Sequence, residues 1–172
     1  MVTKLNENLL GWVDKPHSKK EINDLALQLQ NDEDSLLFLL KIIEKVGSDQ
    51  AMRISWVLRS WAVKNKHLTL LHSEKISGIL ERNKNDAVLR NFLGIFIDTG
   101  IPTKLEGRIT NICCKMLEDK HRAVAVHANA LTLLLRISLM YPLIRNEIKI
   151  LIKDHPNSLK PSFQVRIKRF LF

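Results

Sequence analysis

In this 172-residue chain an acid and an arginine four residues apart occur twice in the same setting, as Asp49-Gln-Ala-Met-Arg53 and as Asp86-Ala-Val-Leu-Arg90, with equivalent positions 37 residues apart. A further step of 37 reaches Ala123 and His127, where the apolar frame and a residue able to carry positive charge persist but the acid is gone. Ser162 and Arg166 make a looser fourth copy. Self-similarity at a period of roughly 20–50 residues marks units that cannot bury their apolar faces alone and must stack on their neighbours. Such a chain is quasi-one-dimensional: each unit touches the next, and the stack presents an extended surface.

Helix signals fill every period. Ser18 with Glu21 makes a capping box ahead of Ile22, Leu25 and Leu29, which predicts a first helix over about 18–30. Acids at 32–34 open a second helix, which runs to Gly47, and Ser48 is placed to cap a third through about Asn65. A fourth is expected over about 69–82 with Leu71, Ile76, Ile79 and Leu80 inward, and a fifth from Asp86 to Gly100. Pro102 suits the first turn of a sixth, striped by Leu105, Ile109, Ile112, Cys113 and Met116. The segment from His121 to Tyr141 is apolar on nearly every face and predicts a helix covered on both sides. An eighth begins at Pro142 with Ile144, Ile148, Leu151 and Ile152 inward.

The chain closes on FQVRIKRFLF, which reads either as an alternating strand or as a helix with Phe163, Ile167, Phe170 and Leu171 on one face. Pro161 and Ser162 supply a helix start, and a lone strand has no sheet to join. A ninth helix is expected.

The frame of Asp49 to Arg53 and Asp86 to Arg90, followed by VLRNFLGI, QVRIKRFL and, in part, AMRISWVL and AVHANALT, resembles the HEAT-like repeat family, whose second helix typically begins with an Asp and carries a Val-Arg pair about a turn later. The resemblance implies an all-α solenoid in a single domain, residues 1–172. Its helix pairs would fall at about 33–65, 68–99, 102–140 and 142–172, behind an N-terminal capping helix. It also implies that Asp49, Arg53, Asp86 and Arg90 are structural, either as a ladder between repeats or as exposed pairs one helical turn apart. RISWVLRSWAVKN, NDAVLRNFLGIFIDTGIPTKLEGRITNICCKMLED and AVAVHANALTLLLRISLMYPLIRNEIKILIKD are further similar to a small bacterial family of HEAT-like proteins, many from Bacteroidetes, some of which are labelled adenylosuccinate lyase. The Ser-rich SSxMPxKxNP loop of true lyases has no counterpart here.

Charge narrows the partners. Of a net +9, the stretch from Lys120 onward carries +8, with ten Lys and Arg against Glu147 and Asp154. Arg136, Arg145, Lys149, Lys153, Lys160, Arg166, Lys168 and Arg169 therefore form a candidate basic surface for an acidic partner. No phosphate-cradling glycine loop, nucleophile elbow, HExxH or dinucleotide pattern occurs, and the histidine pairs are not spaced for one helix face, so no catalytic residue, metal or cofactor is expected. Adjacent Cys113 and Cys114 point about 100° apart on a helix and fit a reducing compartment. Neither a membrane span nor a leader pattern is present, so the chain reads as cytoplasmic. Some HEAT-like DNA glycosylases place an Asp one turn after a Trp, a spacing absent here, although Asp98 and Trp56 remain of interest. The expectation is a non-enzymatic scaffold binding a protein partner, with nucleic acid as the second reading and no membrane or small-molecule substrate.

Overall fold

A computed structural model of the chain describes residue 9, residues 11–15 and residues 17–171, with side chains described through residue 168. The described residues form helices and turns without a strand, and they divide into two compact units, 1–100 and 101–172. The fold is all-α.

In the first unit α1 (Lys19–Gln28) starts as its capping box requires. The Glu21 amide donates to Ser18 Oγ at 3.3 Å, and the Ser18 amide donates to Glu21 Oε2 at 2.7 Å. The chain continues as α2 (Glu33–Ile43), α3 (Ser48–Lys64), α4 (Lys66–Leu71), α5 (Ser73–Arg82) and α6 (Asp86–Thr99). Asp32 caps α2, its Oδ1 accepting from the Ser35 amide at 2.8 Å. At α3 the expected Ser48 cap is one residue late: Gly47 stands at the N-cap, and Gln50 Oε1 reaches back to accept its amide at 3.2 Å. Gly100, at φ +102, ends α6 in a conformation that a side chain would resist.

The expected fourth helix is two helices broken at His72. The imidazole is sunk at the break, with Nε2 2.9 Å from Glu33 Oε1, and Leu71, expected inward, is turned out and 62% exposed. The apolar spacing is thus interrupted where a polar contact to the preceding repeat is made.

α1, α3 and α6 pack side by side, α2 packs on α3, and α5 on α6. Their shared core includes Ile22, Leu36, Leu39, Ile54, Leu58, Trp61, Ile76, Leu80, Phe92 and Phe96, all essentially inaccessible. Each such side chain contributes on the order of 1.5–3 kcal/mol relative to exposure.

The second unit opens with a 3₁₀ turn (Thr103–Leu105) after Pro102, followed by α7 (Glu106–Glu118), α8 (Val124–Met140), α9 (Ile144–Lys153) and α10 (Pro161–Leu171). α8 packs on α7 and α10, and α9 packs on both α7 and α8. α8 is not covered all round: Val126, Leu131, Leu134 and Leu135 are buried, whereas Arg136, Leu139 and Met140 are exposed. On α9, Ile148 and Ile152 are buried, while Ile144 and Leu151 are half-buried. The closing segment is the expected helix, started by Pro161 and anchored by Phe163, which is fully buried. The side chains of Arg169, Phe170 and Leu171, and all of Phe172, lie outside the described residues.

Candidate interaction surface

Neighbouring helices are tied by polar contacts that span about one repeat. In the first unit Asn91 Nδ2 donates to Ser55 Oγ at 2.8 Å, Ser60 Oγ donates to Asn23 Oδ1 at 3.0 Å, and Trp61 Nε1 donates to the Gln30 carbonyl at 3.0 Å. Asn85 Nδ2 donates to Ser48 Oγ at 2.6 Å, and Arg82 pairs with Glu44 at 2.6 Å. The buried Asn91–Ser55 contact holds α6 in register with α3, because an unanswered buried donor costs about 1–3 kcal/mol, and Ser60 with Asn23 sets α1 against α3.

With the register fixed, one face of these helices is turned to solvent. On α3 the spacing i, i+4, i+7, i+11 carries Met52, Trp56, Arg59 and Val63. Trp56 is half-buried and Val63 exposed, and Leu27 on α1, 36 positions before Val63, is 62% exposed. The other tryptophan of α3, Trp61, is core. Toward α6, Arg59 Nε donates to Asp98 Oδ2 at 2.8 Å, each side chain about one third exposed. The guanidinium lies across Gly94, where a Cβ would stand 2.4 Å from Arg59 Cζ. Asp98 is therefore engaged by a cation one repeat away.

Where the α2–α3 and α5–α6 turns meet, a cleft of about 340 Å³ is lined by Glu44, Ser48, Arg82, Lys84 and Asn85 among others. The helix starts beside it are already answered: Asn85 Oδ1 accepts the Ala87 and Val88 amides at the head of α6, and Gln50 serves α3.

The candidate basic residues divide by accessibility. Lys149 and Lys153 on α9, Lys160 before α10, Lys168 on α10 and Arg136 on α8 are exposed. Arg145 is half-buried with its Nε enclosed, and Arg166 is half-buried, donating from Nε to Thr132 Oγ1 at 2.7 Å. Burial lowers the Arg166 pKa from its ordinary value. Arg166 thus helps dock α10 on α8. Of the proposed ladder, Asp49 and Asp86 stand in the first turns of α3 and α6, and Arg53 donates to the Val13 carbonyl.

The second unit contains a buried polar cluster that its sequence does not advertise. His127 on α8 is inaccessible, its Nε2 3.0 Å from the Asp119 carbonyl and its Nδ1 2.8 Å from Asn157 Nδ2. The Asn157 amide donates to His155 Nδ1 at 3.1 Å. The His155 ring meets His127 edge-on at 4.5 Å and stacks on Phe163 at 4.9 Å. The only signal of this cluster in the sequence is that His127 stands where the repeat places Arg53 and Arg90.

Neither cysteine is primed as a nucleophile. Burial pushes the Cys113 thiol far above its ordinary range, and Cys114, half-buried, is raised by burial and by the carboxylates of Glu118 and Glu147. Among the described residues no group of three His, Cys, Asp or Glu is arranged to hold a metal, and no helix is long and apolar enough to cross a membrane.

A family model described as a HEAT repeat domain matches residues 11–172. No curated protein and no solved structure matches the chain.

Proposed function

The chain belongs to the HEAT repeat family, and from that membership we propose that it is a non-enzymatic scaffold that binds a protein partner through the solvent face of its stacked helices. The observation that carries this reading is the row formed by Leu27, Trp56, Arg59 and Val63 on two helices whose register is locked by side-chain contacts. Large apolar side chains held on a rigid surface lose little conformational freedom on binding, which favours association without chemistry. In the same reading Asp49, Arg53, Asp86 and Arg90 serve the stack rather than the partner, and the protein works in the cytoplasm.

The test compares the unaltered protein with the Leu27→Glu/Val63→Glu double variant as baits in the native host, using quantitative mass spectrometry. Both changes are at exposed positions and should leave the helical circular dichroism intact. A partner retained by the first and lost by the second supports the proposal; identical captures count against it.

The exposed lysines Lys149, Lys153, Lys160 and Lys168 favour a second reading, in which the basic C-terminal third contacts nucleic acid phosphates. Fluorescence anisotropy with labelled DNA and RNA across a salt series tests it. Binding that weakens steeply with salt and is lost when these lysines become Glu supports it, and no binding at low salt removes it.

A further inference from the structure

We infer that His155, His127 and Asn157 form an acid-sensitive latch that holds the closing helix α10 in place only while His155 is neutral. His155 is 4% exposed and Asn157 8% exposed, and Phe163, the residue that roots α10, is fully buried against the His155 ring. Removing His155 from its place therefore removes a wall of the α10 docking site.

The hydrogen-bond pattern fixes the protonation state. A backbone N–H is only ever a donor, so His155 Nδ1, receiving the Asn157 amide at 3.1 Å, must be the unprotonated nitrogen. The proton of the neutral ring then sits on Nε2, which is buried. A second proton would put an N–H of the ring against the N–H of Asn157, and the backbone cannot turn round to accept. His127 is different: its Nε2 donates to the Asp119 carbonyl and its Nδ1 accepts from the Asn157 side-chain amide, which can flip to offer its oxygen instead. His155 is therefore the member of the cluster that cannot accommodate a charge.

The surroundings reinforce this. The ionisable groups facing His155 are His127 from α8 and Lys120 from the α7–α8 turn, both of which disfavour a further positive charge, while α7 contributes the Leu117 carbonyl and α10 the Phe163 ring. Asp154, next to it in sequence, is exposed. Burial first, then His127, lowers the His155 pKa below the ordinary imidazole value, with the Leu117 carbonyl opposing. A lowered folded-state pKa means that the unfolded segment binds the proton more readily. The stabilisation that neutral His155 gives to α10 docking is thus complete above about pH 6.5 and declines as pH falls below that value toward the folded-state pKa. Because α10 carries Arg166 and Lys168, acidification changes which cations the second unit presents.

The test is amide hydrogen exchange on the full chain from pH 7.5 to 4.5, corrected for intrinsic exchange, with α3 as the internal standard. The expected result is a loss of α10 protection of more than about threefold relative to α3 on going to the acid end, and a flat ratio in His155→Gln, whose side-chain oxygen still accepts the Asn157 amide. A constant ratio in the unaltered protein, or an equal loss in His155→Gln, overturns the latch. Should His155→Gln fail to fold, NMR titration of the His155 ring in the unaltered protein decides. A ring midpoint coinciding with the midpoint of α10 release supports the latch, and separate midpoints overturn it.

Discussion

Asn91 on α6 donates from Nδ2 to Ser55 Oγ on α3 at 2.8 Å, with both residues buried, 36 positions apart, and Ser55 Oγ donating in turn to the Met52 carbonyl at 2.7 Å. The arrangement is directional: Ser55 uses one donor and one acceptor site, and Asn91 reaches it only when α3 and α6 are in register. A register slip of either helix by one residue would carry the pair onto different faces.

Ser55→Ala should cost about 1–3 kcal/mol, because it leaves the Asn91 amide buried and unanswered, and Asn91→Ala should cost a similar amount through the lost bond and the space left behind. The double variant should cost less than the sum, with a coupling energy of about 1 kcal/mol in denaturant titrations. Strict additivity would show that the contact does not join the repeats.

Gly94→Ala tests how Arg59 is held. A helix interior ordinarily gains about 0.5–1 kcal/mol from this change, but here the new Cβ meets the Arg59 guanidinium at 2.4 Å. The side chain has to swing away from Asp98, so overall stability should shift little. The Arg59–Asp98 coupling, expected at about 0.2–1 kcal/mol for a pair this exposed, should vanish in the Gly94→Ala background. An unchanged coupling would mean that the guanidinium has another way to reach the carboxylate.

What the sequence made legible follows from which forces repeat along it. The period of 37 and the apolar spacing of Ile109, Ile112 and Met116 recur and predicted the stack and its helices, and PSFQVRIKRFL was readable as a helix because no sheet existed for it to join. The contacts Arg59 with Asp98 and His127 with Asn157 were not readable: each depends on two residues 30–39 positions apart meeting at a specific rotamer, and nothing local in the chain marks them. The basic surface was legible as charge but not as accessibility, since Arg166 spends its guanidinium on Thr132.

The two cysteines should separate cleanly on alkylation. Under native conditions iodoacetamide should modify Cys114 alone, slowly, since burial and the carboxylates of Glu118 and Glu147 all disfavour its thiolate, whereas Cys113 should react only on unfolding. The anion is the reactive form, so the Cys114 rate should rise with pH well beyond the ordinary thiol range, and Glu147→Gln should speed it at fixed pH. Intact-mass spectrometry over time reads both. Early double modification would contradict the burial of Cys113.

Leu71 and Ile76 provide the sharpest contrast between apolar spacing and actual packing. The spacing places both on the inward face of one helix, but the break at His72 leaves Leu71 62% exposed and Ile76 wholly buried. Leu71→Gln should therefore change stability by no more than about 0.5 kcal/mol, as for surface positions generally, and Ile76→Ala should cost about 2–5 kcal/mol through lost burial and a cavity. Joining the two helices is a stricter version of the same test. His72→Ala favours an uninterrupted helix and removes the contact to Glu33; if that contact sets the break, the variant should lose stability despite the better helix former, and Leu71→Gln should become costly in its background as Leu71 turns inward. A stabilised His72→Ala protein in which Leu71→Gln is still silent would show that the break is imposed by the packing of α4 on its neighbours rather than by the imidazole.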